Sequence, residues 1–368
     1  MRRALLRPLR LLGLLLLSAV PFTGATSLFV TSAAQAQELK GGTLRIAILS
    51  DMTNFDPMQF STVNFHLIKN LYDSLIEYTP EGVPVPSLAT AWEIAPDSKS
   101  VKITLRDDVT FHSGAKFTSA DVAATLTKAS DPKLGKNVYA TTSIIQDWAT
   151  PDATTVVINF KAPVPERQIL DLLQFMLPIE AAGIDTVETV EAGTGAYTVA
   201  ERAVGQSIVL KANPNYWREG EPIADTLQFT IFSDNDAASA ALESGAVDII
   251  YGGQARDAVR LRDAGFQLIE GPGKLVQVFR INATRAPFTN ESFRQAFNYM
   301  MNRDAILKVG YAGLGQVVAL PWAPASKAFD DTYTTTYAYN IAKAKELLAA
   351  SGLSAAEMSN WKILVNGE

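Results

Sequence analysis

Few residues in this chain have the types and spacing that chemistry requires. The 368 residues include two histidines and no cysteine. That excludes thiol catalysis, a disulfide framework and a cysteine-based zinc site. His66 and His112 lie far apart, and neither has a second His at ligand spacing, so no metal is expected. A Ser-His-Asp triad would need one of them, and no Gly-x-Ser-x-Gly elbow accompanies either. Gly193-Thr194-Gly195 lacks the third glycine of a dinucleotide fingerprint, and no Gly-Lys-Ser/Thr phosphate loop occurs. Its plainer reading is a tight turn followed by a packed Tyr197. The carboxylate pair of a glycosidase is defined in space, so the acidic residues leave that reading open; most look isolated and solvated. The expectation is a protein with no catalytic residue, metal or cofactor.

Hydrophobic residues make up 48% and charged residues 19%, which is a globular balance. The length allows two or three compact units. A formal net charge of -6 argues against nucleic acid or an anionic membrane as partner. Arg2, Arg3, Arg7 and Arg10 precede an apolar run at 11–20, and Ala34-Gln35-Ala36 supplies a small-residue exit. This pattern predicts a signal peptide over 1–36, cleaved after Ala36, and hence a periplasmic protein. The apolar stretch 9–30 is nearly long enough for an anchor, but Pro21, Gly24 and several Ser/Thr favour cleavage.

Alternation predicts a strand over 43–49. Phe65, Ile68, Leu71, Tyr72, Leu75 and Ile76 recur at helical spacing and predict a helix over 65–76, with His66 an ordinary member. Gly82, Pro84 and Pro86 cannot continue it. Trp92 reads as a core filler, and Val101, Ile103 and Leu105 as one face of a strand. Thr118 and Asp121 form a capping pattern that opens a helix running to about Ala129. Val156, Ile158 and Phe160 predict another strand, ended by Pro163 and Pro165. Strands at 208–210, 227–232 and 247–250 alternate with helices at 237–244 and 257–264, each stopped by a glycine, Gly245 or Gly265. Such alternation indicates an α/β unit. A strand at 275–281, helices at 293–302 and 340–350, and the opening of a strand at 361–365 complete the reading.

The stretch 71–122 is the most specific. It holds Leu71-Tyr72-Asp73-Ser74-Leu75, then Ala89 and Trp92, then Leu105-Arg106, Val109, Phe111-His112, Gly114, Phe117-Thr118 and Asp121-Val122. It resembles the extracellular solute-binding proteins of ABC importers, family 5, the oligopeptide/dipeptide/nickel-binding type. Further blocks match in order: Gly193-Thr194-Gly195-Ala196-Tyr197, Asn213-Pro214-Asn215-Tyr216-Trp217, Gly245-Ala246-Val247-Asp248, and 282–306 with Pro287-Phe288 and Arg294-Gln295-Ala296. In the last block Asn302 stands where Asp is common. The run 339–352 also matches.

The resemblance implies an α/β, two-lobed periplasmic-binding-protein-like fold. Lobe I would comprise 37–78 and 183–273, with an inserted subdomain at 79–182. Only 274–368 remains for lobe II, which is expected to be partial, leaving a one-sided cleft and weak binding. The implied function is that of a monomeric, non-enzymatic binder. It would enclose a peptide or similar small solute between the lobes by hinge closure and deliver it to an ABC permease in the inner membrane. Phe60, Ser61 and Thr62 after the first strand correspond in position to ligand-lining residues of peptide-binding relatives. So do Tyr251, Gly252 and Gly253 after the 247–250 strand. The 71–122 signature would be architecture and not ligand site. Two other readings stand beside this one. A secreted hydrolase of small peptides or glycans would need an activated nucleophile or carboxylate pair. A periplasmic chaperone-like binder would use the same cleft loosely.

Overall fold

The computed structural model describes residues 41–59, 65–271, 276–324, 326, 328–359 and 361–362. Strand β1 (Thr43–Ile48) leads through a loop to a helix, Phe65–Leu71, and a small antiparallel pair, β2 (Ile76–Tyr78) and β3 (Pro84–Pro86). An antiparallel sheet follows, built from β4 (Ala89–Ile94), β5 (Ser100–Leu105), β6 (Ile145–Asp152) and β7 (Thr155–Phe160) in the order β4-β5-β7-β6. The chain then returns to β1. Strands β8 (Tyr197–Ala203), β9 (Ser207–Ala212), β10 (Thr226–Ile231) and β11 (Ile249–Ile250) complete a five-stranded sheet of order β11-β1-β10-β9-β8. In it β1 runs parallel to both β10 and β11, whereas β8, β9 and β10 are antiparallel neighbours.

Ile46, Ala47 and Ile48 are buried in succession, as a strand covered on both faces must be. Ile46 and Ile48 join a core with Met52, Leu67, Leu71, Tyr72 and Phe229. Ala47, between them, points the other way, to Ala238 and Val247. The second sheet has its own core. Val101, Ile103 and Leu105 alternate inward from β5 and meet Val156, Ile158 and Phe160 of β7. The helix Ser119–Ala129 closes this core; Thr118 and Asp121 make the expected capping box. Helix Glu166–Phe175 covers it too, with Ile169, Leu172 and Leu173 buried. It starts beside Pro165, where proline is tolerated because the first helical N–H groups have no intrahelical partner.

Two expectations give way, and a third, the strand opening at 361–365, lies mostly outside the described residues. The first helix stops at Leu71 and not at 76. The Leu71 carbonyl accepts from the Gly195 amide at 3.0 Å, the Leu75 amide donates to Met176, and Ile76 opens β2. Tertiary partners thus take over backbone groups that the helix would have used. No strand forms over 276–281, the described part of the strand expected at 275–281. Among the described residues no strand lies beyond β11 to pair with it, and an unpaired strand leaves its backbone groups unsatisfied. Trp361 and Lys362 likewise lie outside regular structure, and 363–365 are outside the described residues.

Residues 276–362 instead form helices: Glu291–Met300, Arg303–Gly310, Ile341–Ala350 and the short Ala355–Ser359. Asn290, Asn302 and Asn340 cap the first three, each side-chain oxygen accepting from the amide three residues on. Asn302, the departure from the usual Asp, therefore does the same capping work. Phe288 is the hub of the aromatic packing here. It makes edge contacts with Phe293, Phe297 and Trp361 at 5.2–5.6 Å. The buried clusters beneath the two sheets draw no member from this region.

Candidate functional site

Because β1, β10 and β11 are parallel, their C-terminal ends share one edge of the sheet, the edge where α/β sheets place ligands. Tyr251 leaves β11 at this edge. Its amide donates to the Ala47 carbonyl at 2.9 Å, which fixes its backbone on the central strand. Its side chain is 49% exposed, and its ring lies 4.0 Å from that of His66 at 30°. His66 in turn lies 6.2 Å from buried Phe229. Tyr251 is therefore the outermost of three aromatic rings, with a supported inner face.

Gly252 has φ +77°, and a Cβ there would meet nothing within 4 Å. Backbone conformation and not crowding asks for glycine, and the peptide faces open space. Gly253 follows, and the Gln254 amide donates to Asn235 Oδ1 at 3.0 Å, tying the loop to the next helix. Phe60, Ser61 and Thr62 lie outside the described residues. The helix that follows them in sequence carries His66, so the start of that helix lies against Tyr251. Nothing in the sequence distinguishes His66 from an ordinary helix residue, since only the fold places Tyr251 over it.

The loop 49–59 is held at both ends. Asp51 accepts from the Gly205 amide at 2.8 Å, and Arg202, which donates to the Met52 carbonyl, stacks over Phe55 at 5.1 Å. Lys128 Nζ lies 3.0 Å from Asp56 Oδ2. Gln59 donates to Glu188 Oε1 at 2.6 Å.

Three of the sequence blocks that carry the resemblance, 71–122, 193–197 and 213–217, meet at one buried joint. Asp73, 4% exposed, accepts from Thr194 Oγ1 (2.9 Å), Tyr216 Oη (2.8 Å) and Trp217 Nε1 (3.0 Å). Burial, helped by the charge of Asp73, pushes the Tyr216 phenol far up. Burial also lowers the pKa of Lys69 despite the opposing pull of Glu77 and Asp73. Trp217 lies between two guanidiniums, Arg106 at 4.4 Å and Arg218 at 4.6 Å, and Arg218 pairs with Glu77 at 2.8 Å. His112 belongs to the same joint: Nε2 donates to the Gly195 carbonyl at 2.9 Å, and Nδ1 lies 3.4 Å from Glu191. A Cβ at Gly193 or Gly195 would fall on the backbone of Leu71 or Asn70. The two glycines are thus required by close approach, not by phosphate binding. Among the described residues no group of three or more His, Asp or Glu is placed to hold a metal ion.

Comparison with known proteins places this arrangement. The model of bacterial extracellular solute-binding proteins, family 5 Middle, matches residues 83–366. The glutathione-binding protein GsiB of Salmonella typhi is 28% identical over 316 residues, which cover 83% of this chain and 61% of GsiB. A putative ABC transporter peptide-binding protein of Brucella ovis is 31% identical over 354 residues, 92% of this chain and 65% of that protein. Among solved structures, AgaA of A. tumefaciens R10 in complex with agropinic acid superposes with a TM-score of 0.73 at 28% identity, covering 84% of this chain and 64% of AgaA. The periplasmic binding protein DppA of Helicobacter pylori, in complex with the peptide STSA, gives 0.75 at 23% identity, covering 86% and 67%. The chain thus spans less than two thirds of the length of GsiB, the B. ovis protein and AgaA. It shares the α/β fold of two-lobed binding proteins, and it belongs to family 5 of the bacterial extracellular solute-binding proteins.

Proposed function

We propose that this protein is the periplasmic substrate-binding component of an ABC importer. It captures a peptide or a similar small solute and passes it to a membrane permease. The observation that carries the reading is the exposed Tyr251-Gly252-Gly253 loop at the C-terminal edge of the parallel strands, in a chain of this family. Tyr251 offers a flat apolar face and a hydroxyl, and the glycines let a ligand approach backbone amides. Phe60, Ser61 and Thr62 belong to the proposal only through their correspondence in position to ligand-lining residues of peptide-binding relatives. The division into lobe I at 37–78 and 183–273, an insert at 79–182 and a partial lobe II from 274 belongs to this proposal. So do the signal peptide at 1–36, the monomeric state and the absence of catalysis. No helix among the described residues is long and apolar enough to cross a membrane.

Closure stabilises a bound state only as far as the ligand prefers that state. The described residues beyond 276 offer helices and no sheet for the opposing wall, so this chain should bind with a Kd above about 1 μM. Calorimetry with the chain from residue 37 tests the proposal, against Ser-Thr-Ser-Ala, glutathione, agropinic acid and a nickel–histidine chelate. Stoichiometric binding of one class without turnover is expected. Tyr251→Ala should weaken it about tenfold and Tyr251→Phe much less, as loss of a stacking face does. Turnover would point to a hydrolase instead, and weak capture of many unfolded chains to a chaperone-like binder.

A further inference from the structure

Asn235 stands where the loop that follows β10 meets the loop that follows β11. It opens the helix Asn235–Glu243, directly behind the cap Asp234. Its side-chain Oδ1 accepts from the Gln254 amide at 3.0 Å. The same oxygen lies beside Gly253, where an added Cβ would come within 3.9 Å of it. The Tyr251 amide donates to the Ala47 carbonyl, so the segment 251–254 is pinned at both ends. Gly252 and Gly253, between the pins, are exposed. Among the described residues their amides donate to no acceptor.

The bond to Gln254 also orients the carboxamide. Only the oxygen of an Asn side chain can accept from an N–H, so Nδ2 takes the other branch of the group, with two donors. Asn235 is half-buried, and among the described residues its Nδ2 has no acceptor and is not sealed from water. Three neutral donor groups therefore lie together in the stretch that follows Tyr251: the amides of Gly252 and Gly253, and Nδ2 of Asn235. We propose that Asn235 is a solute-binding residue. Through Oδ1 it fixes the Tyr251–Gln254 segment, and through Nδ2 it donates, beside the two glycine amides, to a carbonyl or carboxylate oxygen of the solute. The solute class taken at this edge is one that places such an oxygen next to the part lying on the Tyr251 ring. A carboxamide already held by one bond loses little freedom when it makes another. The donating role rests on the proposed function; the pinning of the segment does not.

The test uses the full chain with Asn235→Asp and Asn235→Ala. Asp keeps an oxygen for the Gln254 amide and removes the Nδ2 donors; Ala removes the oxygen as well. Amide exchange at Gln254 should rise about tenfold in Asn235→Ala while β1 and β10 stay protected, and should stay within about threefold of the wild type in Asn235→Asp. In parallel, Ser-Thr-Ser-Ala, its C-terminal amide, glutathione and agropinic acid are titrated by calorimetry and followed in proton–nitrogen correlation spectra. Whichever one the wild type binds should shift the Asn235 side-chain signal and the Gly252 and Gly253 amide signals. Both variants should bind it about tenfold more weakly, the effect of losing one hydrogen bond to the solute. Equal binding of the peptide and its amide assigns the acceptor to an internal carbonyl; loss of binding with the amide assigns it to the terminal carboxylate. Wild-type affinity in Asn235→Asp with unchanged loop exchange leaves Asn235 a pin only and overturns the inference. So does unchanged Gln254 exchange in Asn235→Ala, or a binding solute that leaves the three donor signals where they were. Failure of the wild type to bind any of the four overturns the donating role together with the proposed function, and the Gln254 exchange still decides the pin.

Discussion

Replacing Asp73 with alanine should cost this fold more than almost any other single polar substitution. The carboxylate accepts three hydrogen bonds from two separate stretches of chain, and Thr194, one of the donors, is itself 1% exposed. Without Asp73 the Thr194 hydroxyl has no water to turn to, at about 1–3 kcal/mol for an unsatisfied buried donor. Tyr216 and Trp217 are only partly buried and recover some solvation, so they add less. Lys69, half-buried, loses one of its two nearby carboxylates. The sum is about 3–5 kcal/mol, in the range for breaking a buried charged network. For a unit of about 150–250 residues each kcal/mol lowers the melting temperature by about 2–4 °C, so the loss should be about 6–20 °C. Asp73→Asn should lose about half as much, since the carboxamide keeps one acceptor but presents an N–H to a donor. Asp108→Asn, at an exposed pair with Arg106, serves as control and should cost at most about 1 kcal/mol. Scanning calorimetry of the chain from residue 37 measures all three. A fall of less than about 3 °C for Asp73→Ala would refute the claim that this joint holds the molecule together.

Two further outcomes follow from local geometry. Gly195→Ala drives a methyl group into the Asn70–Leu71 backbone, which cannot give way as a side chain could; denaturant unfolding should show a loss of about 3 kcal/mol. The Arg45 guanidinium hydrogen-bonds Asp248, 2.6 Å from Oδ1, and holds that carboxyl below the usual range. Its pKa is lower folded than unfolded, so the pair stabilises the β1–β11 junction above the unfolded value of 3.8. That support is lost as pH falls through the folded value. Amide exchange at Ile250 and Tyr251 should therefore accelerate in acid before the rest of the sheet opens, and Asp248→Asn should remove the pH dependence.

The legible parts of the fold are those where one side of an element is dry. Val101, Ile103 and Leu105, and Val156, Ile158 and Phe160, mark β5 and β7 because every second residue is buried. In β6 only Ile145 is fully buried, so no alternation marks the strand. Helix Glu166–Phe175 follows two prolines that read as terminators, although Pro165 is its entry. The first helix reads five residues too long because Leu75 and Ile76 keep helical spacing while packing in the second core. At the proposed site, Tyr251, Gly252 and Gly253 follow from the resemblance to the family and not from any spacing of the residues themselves. The His66 support beneath Tyr251 was not, since it joins residues far apart in sequence. Nor was the Asp56–Lys128 ion pair, for the same reason.

The place of β1 has a kinetic consequence. Among the described residues it is the first strand to be synthesised and an interior strand of its sheet, yet Gly42 and its partner Asp225 are 183 residues apart. Such a loop must be closed before any contact rewards it, which raises the contact order and slows folding. The second sheet draws its strands from a compact stretch and can form on its own while β1 waits. At synthesis rates of about 5–20 residues per second, β1 stays without its β10 neighbour for about 10–40 s. During that interval the backbone groups of β1 have no neighbouring strand, so any factor that binds an unpaired strand competes with folding for it.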